Sequence, residues 1–319
     1  MGLRKERLFE NTQQDNALDE WFVPLQKKAG ETEAVVRPSL SYWQDAWRRL
    51  VKNKLAMSGL VFLIGLIIMA IIGPIISPHS ISEQKLMNQN LPPSSDYWFG
   101  TDNLGRDVFA RTWYGARISI FVGVIAAVID FVIGVVYGGF SGYKGGKTDH
   151  YMMRVVEVLY GLPYLLIVIL IMVVIGPGLS TIIIALSITG WVGMARIVRG
   201  QVLQIKNYEF ILASKTFGTK TFRILKKHLL PNTMGPIIVQ MTLTIPTAIF
   251  AEAFLSFLGL GIQAPLTSWG VMADEGLSSV LSGHWWRLFF PTLFISLTMF
   301  AFNVLGDGLQ DALDPRLRR

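Results

Sequence analysis

The chain contains no cysteine, little charge and few histidines. Only 16% of its 319 residues are charged, whereas soluble domains average about 25%. The absence of cysteine excludes disulfides and thiolate metal sites, and it says nothing about the cellular compartment. We expect no metal site, because the histidines lack metal-ligand spacing: His79, His150, His228 and His284. With 51% apolar residues, the composition is typical of a membrane protein.

Patterns that would indicate an enzyme, a secretory signal or a nucleotide site are also missing. No nucleophile–base pair is evident, and the first 40 residues lack the apolar core of a signal peptide. The run 141–148 differs from a phosphate-binding loop, because Ser141 replaces its first glycine and a membrane span precedes it. The sequence therefore predicts a non-enzymatic chain without its own cofactor. If ATP and Mg are used, we expect another subunit to bind them.

Six apolar stretches are long enough to cross a bilayer, which requires about 20 residues each. A tight turn, Gly176-Pro177-Gly178, separates the third stretch from the fourth. The predicted spans are Met57–Ile76, Ile118–Phe140, Val158–Ile175, Leu179–Val198, Gly235–Leu258 and Leu288–Leu305. The sequence thus predicts an all-α membrane protein with six transmembrane helices.

Charge predicts the orientation of these spans, because Lys and Arg near span ends are retained in the cytoplasm. Four basic residues and no acidic one lie between residues 48 and 54, just before the first span. The loop 77–116 carries three basic and four acidic residues, whereas the loop 196–227 carries eight basic residues and one acidic residue. We therefore expect both termini to be cytoplasmic. Because the basic residues lie at span ends, they do not indicate a nucleic-acid partner.

The basic cytoplasmic loop contains a short amphipathic run over residues 208–218. Apolar and aromatic side chains recur at helical spacing in it, and Gly218 is a suitable helix terminus. A helix of about ten residues is marginal by itself. It could be stabilised by docking on a partner protein or by lying on lipid headgroups. The candidate docking residues are Tyr208, Glu209, Phe210, Ile211, Ala213, Ser214, Phe217 and Gly218.

Two acidic residues lie within the predicted spans. Asp130 lies roughly 18 Å from either end of its span, so it must face protein or water. It could form part of a transport cavity, or a buried hydrogen bond to a neighbouring helix or subunit. Glu252 lies toward the outer end of the fifth span, where a packing or interface role is favoured. A single mid-membrane carboxylate is weak support for a proton-coupled pump.

Several motifs carry a resemblance to a known family. The run 213–218, followed by 228–232 (His-Leu-Leu-Pro-Asn), resembles the coupling loop of permeases in binding-protein-dependent ABC importers. The stretches 47–54, 99–119 and 252–270, with 306–316, are similar to the C-type permeases of oligopeptide and dipeptide importers. The family pattern begins Glu-Ala-Ala, whereas this chain has Leu212, Ala213 and Ser214. Any role of that glutamate is therefore not carried over.

The resemblance implies a type I ABC importer permease fold in a prokaryotic cell membrane. It also implies a homologous second permease, two cytoplasmic ATPases that bind ATP and Mg, an extracytoplasmic peptide-binding protein and a peptide substrate. The expected organisation is a cytoplasmic tail (1–46), a first span and external loop (47–116), a five-helix core (117–306) with a coupling loop (199–234), and a second cytoplasmic tail (307–319). Alternatives are a nickel or glutathione importer of the same branch, or a proton-coupled secondary transporter.

Overall fold

The computed structural model describes residues 41–314, and from Trp43 onward these form one compact helical unit. Two parts of the predicted tails lie outside the described residues: residues 1–40 at the N-terminus and residues 315–319 at the C-terminus. The predicted tail boundaries at residues 46 and 307 fall within the first and last of the described helices.

Helices account for nearly all regular structure between residues 41 and 314. They are α1 Tyr42–Lys52, α2 Lys54–Ile76, α3 Val108–Lys144, α4 Gly146–Gly161, α5 Tyr164–Ile175, α6 Leu179–Thr189, α7 Trp191–Ile205, α8 Glu209–Thr216, α9 Thr221–Ile224, α10 Leu230–Phe257, α11 Trp269–Leu277 and α12 Trp286–Leu313. A 3₁₀ turn, Leu86–Asn88, lies in the loop between α2 and α3, and a π turn, Leu225–Leu229, joins α9 to α10.

Five helical segments of the described residues are long and apolar enough to cross a membrane. They are Lys54–Ile76, Val108–Lys144, Leu179–Ile205, Thr221–Phe257 and Trp286–Leu313. The fourth predicted span corresponds to α6 and α7 together, which Gly190 joins. The all-helical membrane architecture predicted from the sequence is confirmed.

The third predicted span, Val158–Ile175, is not one straight helix. α4 ends at Gly161 and α5 begins at Tyr164, and the two helices are bent by 84° relative to each other. Pro163 explains the break, because a residue that precedes proline is disfavoured in the helical region, and Leu162 is extended (φ −77°, ψ 131°). The bent pair counts as a sixth span only if its two halves are taken together.

α3 is the central helix and is much longer than its predicted span, Ile118–Phe140. Its N-cap is Asp107, whose carboxylate accepts hydrogen bonds from the backbone N–H groups of Phe109 (3.1 Å) and Ala110 (3.2 Å). At 1.5 Å per residue its 37 residues extend about 55 Å. Since a hydrocarbon core is about 30 Å thick, α3 projects from the bilayer and carries its contacts into both loop regions.

Close helix packing places α7 and α10 against α3. A side chain at Gly138 would collide with the backbone of Ala195 in α7, and one at Gly123 would collide with Ile249 in α10. Small residues of this kind allow membrane helices to approach closely. One buried apolar cluster continues from the middle of these helices to the loop between α7 and α10: Val135, Met194, Val198, Val202, Ile205, Ile211, Ile224, Leu229 and Ile237.

Candidate functional site: the coupling surface and its cavity

The amphipathic run forms the helix α8, one residue shorter at its start than the predicted 208–218. Glu209 lies in its first turn and Lys215 in its last, and both charges complement the helix dipole. Gly218 ends the helix with φ 71°. The backbone N–H of Thr219 donates to the carbonyl of Ser214 (3.1 Å), and that of Gly218 donates to Lys215 (2.9 Å). These two bonds form a Schellman motif, which a glycine at this position favours.

One apolar side chain attaches α8 to the helix bundle. Ile211 is fully buried and packs in the same cluster as Ile205 of α7 and Ile224 of α9. Two lysines attach the loop to the end of α3: Lys206 donates to the carbonyl of Gly142 (2.9 Å), and the Lys215 ammonium lies 5.1 Å from the ring centre of Tyr143. A displacement of α8 would therefore be transmitted to α3 and α7.

The remaining predicted docking residues lie on the surface. Phe217 is 86% exposed and Tyr208 is 55% exposed, and Phe210 is also exposed. Glu209, Ala213 and Ser214 complete the outward faces of the helix. The predicted docking residues thus comprise one buried residue, Ile211, and a group of exposed residues. The exposed group includes two aromatic side chains, Tyr208 and Phe217, that lie just outside the two ends of α8.

An ion pair beyond the C-terminal end of α3 joins three helices. Arg199 of α7 donates two hydrogen bonds of 2.6 Å to the carboxylate of Asp149 in α4, and Ser141 of α3 donates to the same carboxylate (2.5 Å). Planar two-point contacts of this type constrain geometry strongly. The sequence analysis missed this cluster, because its members lie 50 residues apart in the chain.

A cavity of about 730 Å³ opens beside α8. Its walls come from α7, from the N-terminal half of α10 and from the end of α12, and Tyr208 and Phe210 lie at its edge. The polar side chains in its lining are Gln201, Gln204, Tyr208, Asn232, Gln240, Gln310 and Asp314. None of the amides among them was identified from the sequence.

The two intramembrane carboxylates have different surroundings. Asp130 is 4% exposed, and its Oδ1 has no hydrogen-bond partner among the described residues. Its carboxylate lies against Gly190, where α6 meets α7; a side chain at Gly190 would approach both carboxylate oxygens to 2.6 Å. The two carboxylates lie on different helices, α3 and α10.

Glu252 is fully buried and does not reach the membrane surface. It accepts hydrogen bonds from Ser119 of α3 (3.1 Å) and Ser256 (2.8 Å). The Ser119 hydroxyl in turn accepts a bond from the backbone N–H of Trp269 in α11 (3.4 Å). Glu252 therefore holds α3, α10 and α11 together, in keeping with the packing role that the sequence favoured.

A network of charges on the opposite side holds the loop before α3. Arg106 donates to Asp102 (2.6 Å) and Glu275 (3.0 Å), and Arg111 contacts the same two carboxylates. Burial would raise the pKa of Asp102, but the guanidinium groups of Arg111 and Arg106 outweigh it and hold that pKa below its ordinary value. Arg287 joins through the carbonyl of Glu275 (2.8 Å). The loop is thereby attached to α11 and α12.

Comparison with known families identifies the chain. The profile of the family described as "Binding-protein-dependent transport system inner membrane component" matches residues 134–319, which is more than half of the chain. The chain belongs to this family. Residues 41–93 match a second family, described as "N-terminal TM domain of oligopeptide transport permease C". This inner-membrane transport component is therefore a permease subunit and not an enzyme.

Curated relatives match the permease over nearly its whole length. It is 75% identical to the dipeptide transport system permease protein DppC of Bacillus subtilis, over 96% of both chains. It is 59% identical to the oligopeptide transport system permease protein OppC of the same organism, over 93% of this chain and 97% of the relative. It is 41% identical to the oligopeptide transport system permease protein OppC of Escherichia coli, over 92% of this chain and 99% of the relative.

A solved structure shares the fold of the permease. It is described as an inward-facing conformation of the MetNI methionine ABC transporter, and its matched chain is 19% identical. The superposition has a TM-score of 0.52 and covers 63% of this chain and 94% of the other. The fold is thus that of an ABC importer permease.

Proposed function

We propose that this permease forms half of the membrane passage of an ATP-driven importer of dipeptides or oligopeptides. The observation that carries the proposal is the 75% identity to a dipeptide permease over 96% of both chains. Peptides need such a passage, because burying their unpaired amides and charges in hydrocarbon costs several kcal/mol per group.

The proposed assembly contains a homologous second permease, two cytoplasmic ATPases and an extracytoplasmic peptide-binding protein. ATP and Mg bind to the ATPases. Both termini and the coupling loop face the cytoplasm, as the excess of basic residues in 196–227 supports. The surface of this permease that docks on the ATPase consists of Tyr208, Glu209, Phe210, Ala213, Ser214, Phe217 and Gly218. Ile211 lies beneath it and anchors the helix.

The proposed cycle couples this surface to the passage through rigid contacts. When the ATPases close on ATP, they move α8, and Ile211 transmits the movement to the apolar cluster between α3 and α7. The ion pair of Asp149 with Arg199 makes α4 move with α7. The passage then alternates between two states whose populations the ATPases bias.

Reconstitution of the complete transporter in liposomes tests the proposal. We expect uptake of labelled dipeptide or tripeptide that requires ATP and the binding protein, and that persists when the proton gradient is dissipated. Uptake that survives without ATP but stops with the gradient would favour a proton-coupled transporter that uses Asp130. Uptake of a nickel complex or glutathione in place of peptides would reject the peptide assignment while retaining the ABC mechanism.

A further inference from the structure

The glutamine side chains of the membrane spans converge on one cavity. The candidate spans of the described residues contain four glutamines, Gln201, Gln204, Gln240 and Gln310, and all four line the cavity of about 730 Å³ beside α8. Asn232 lines it as well. Gln201, Gln204 and Gln310 lie beyond the apolar cores of their spans, and Gln204 and Gln310 are exposed, so together with Gln240 they form an open polar lining at one end of the helix bundle.

Three helices supply these amides, so the convergence is a property of the tertiary fold. Gln201 and Gln204 are three residues apart on α7 and share a face. Asn232 and Gln240, eight residues apart on α10, also share a face. Gln310 comes from the last turn of α12. Each helix by itself presents only one or two amides.

The glutamine amides are available to a ligand. Among residues 41–314, the structure records no hydrogen bond between these four side chains and another protein group, although Asn232 donates to the carbonyl of His228 (2.6 Å). Each glutamine amide can donate two hydrogen bonds and accept two. The lining therefore presents donors and acceptors together.

The charge of the lining restricts the class of ligand. Asp314 is the one charged residue among the lining side chains, and the others are amides, apolar groups and the two aromatic rings of α8 and its cap. A lining of fixed charges would favour peptides of one charge, whereas neutral amides pair equally well with the N–H and C=O groups of any peptide backbone.

We propose that this cavity holds a peptide in transit by its backbone, through the side chains of Gln201, Gln204, Gln240 and Gln310. The inference rests on the proposed function, because it takes the substrate to be a peptide. The volume of about 730 Å³ lies within the range of about 300–1,000 Å³ typical of ligand pockets. Recognition through the backbone makes passage tolerant of sequence and leaves discrimination among side chains to the binding protein.

Cysteine labelling tests the location of the peptide, because the chain has no cysteine of its own. Gln240→Cys and Gln310→Cys are each prepared in the complete transporter. The matched control is Asn303→Cys, an exposed position on α12 outside the cavity lining. The probe is a tripeptide that carries a bromoacetyl group, delivered by the binding protein in the presence of ATP. Mass spectrometry of this subunit measures the labelling.

We expect both cavity cysteines to react about tenfold faster than the control, because a bound probe has a high effective concentration, and an excess of unmodified tripeptide should suppress the reaction. Equal rates at all three positions, or no suppression, would overturn the inference if the wild-type transporter imports the tripeptide. If the wild-type transporter imports no peptide, the proposed function fails as well, so the two failures are distinguishable.

A substitution pair tests the chemistry of binding. Gln240→Leu removes an amide at nearly constant size and should lower tripeptide uptake about tenfold, the effect of one lost hydrogen bond that leaves a buried partner unpaired. The same substitution should reduce the uptake of a tripeptide methylated at its backbone nitrogens by a smaller factor, since the N–H groups of that peptide are already absent. Equal losses for both peptides would contradict recognition of the backbone N–H groups, and unchanged uptake of the unmodified tripeptide would contradict backbone recognition by Gln240 altogether. Asn303→Leu is the control, and co-purification of the partner subunits verifies assembly.

Discussion

At the residue scale, burial separates side chains that the sequence presents as equivalent. Ile211 and Leu212 are adjacent aliphatic residues in one short amphipathic helix. In the structure Ile211 is fully buried and Leu212 is 46% exposed. Only the buried residue connects α8 to the bundle, so the two should differ strongly in their contribution to stability.

Ile211→Ala should lower the free energy of unfolding of the cytoplasmic loop by about 2–5 kcal/mol, because truncation of a buried aliphatic side chain leaves a cavity. The control Leu212→Ala should change it by less than about 0.5 kcal/mol, since its side chain is largely solvated. Thermal unfolding and hydrogen exchange of residues 208–230 in the purified protein measure both. Equal effects would contradict the anchoring role.

Asp102 is expected to make the loop before α3 sensitive to acid. Its folded pKa lies below the ordinary value, so the ionised carboxylate stabilises the loop above the unfolded pKa of about 4. That stabilisation is lost as pH falls through the folded pKa. At neutral pH, Asp102→Asn should destabilise the loop by about 3 kcal/mol, because Arg111 is left buried with less compensation.

Hydrogen exchange of residues 86–107, measured at pH 7 and near pH 3, checks this prediction. Relative to the intrinsic exchange rate at each pH, the wild-type loop should be less protected at low pH, whereas the loop of Asp102→Asn should be weakly protected at both. The exposed pair of Lys85 and Glu83 (3.1 Å) provides the control, since Lys85→Ala should have little effect. An unchanged exchange rate in Asp102→Asn would contradict the stabilising network.

At the element scale, α8 is too short to be stable by itself and depends on its attachments. Its 8 residues are below the length at which isolated helices persist in water. Three features stabilise it: the Schellman motif at Gly218, the charges that complement the helix dipole, and the buried side chain of Ile211. The aromatic rings on the outer side remain exposed, although Tyr208 contacts Phe210 and Phe210 contacts His228, and we propose that this exposed face contacts the ATPase.

Phe217→Asp should abolish co-purification of the ATPases, because it places a charge within an apolar contact of the proposed docking surface. Insertion of the chain into the membrane should not change, since Phe217 is 86% exposed and packs against no core cluster. Phe222→Asp is the matched control, an aromatic residue 74% exposed in α9, outside α8. Normal co-purification with Phe217→Asp would rule out the docking assignment.

At the scale of the whole molecule, the positions of the two charged clusters indicate two faces of the membrane. The network of Asp102 and Glu275 lies before α3 and beside α11, whereas the pair of Asp149 and Arg199 lies beyond the other end of α3. Because α3 is longer than a bilayer is thick, these clusters must lie on opposite sides of the membrane.

Labelling of single cysteines tests the proposed orientation. Met87→Cys, at a position 96% exposed in the loop before α3, should react with a membrane-impermeant maleimide added to intact cells or right-side-out vesicles. Phe217→Cys should react only after permeabilisation. The unmodified chain is the blank because it has no cysteine. The opposite pattern would place the termini and α8 outside and would exclude contact with a cytoplasmic ATPase.

The predictions that were confirmed rested on patterns within short stretches of the sequence. The apolar stretches predicted the spans because a bilayer demands about 20 apolar residues wherever they occur, and Gly218 predicted the end of α8 because a positive φ favours glycine. The break at Pro163 was missed, although proline marked it, because the apolar run continues across it. The ends of α3 were missed because charged and polar residues continue a helix that packs on protein.

The sequence by itself determined the helical class, the family and the short helix α8, since each follows from composition, periodicity or an ordered motif along the chain. The tertiary structure alone decided which side chains meet. Asp149 and Arg199 are 50 positions apart, Ser119 and Glu252 are 133 positions apart, and the amides of the cavity come from three different helices. Their proximity depends on the packing of α3, α7, α10 and α12, and no one-dimensional pattern records that packing.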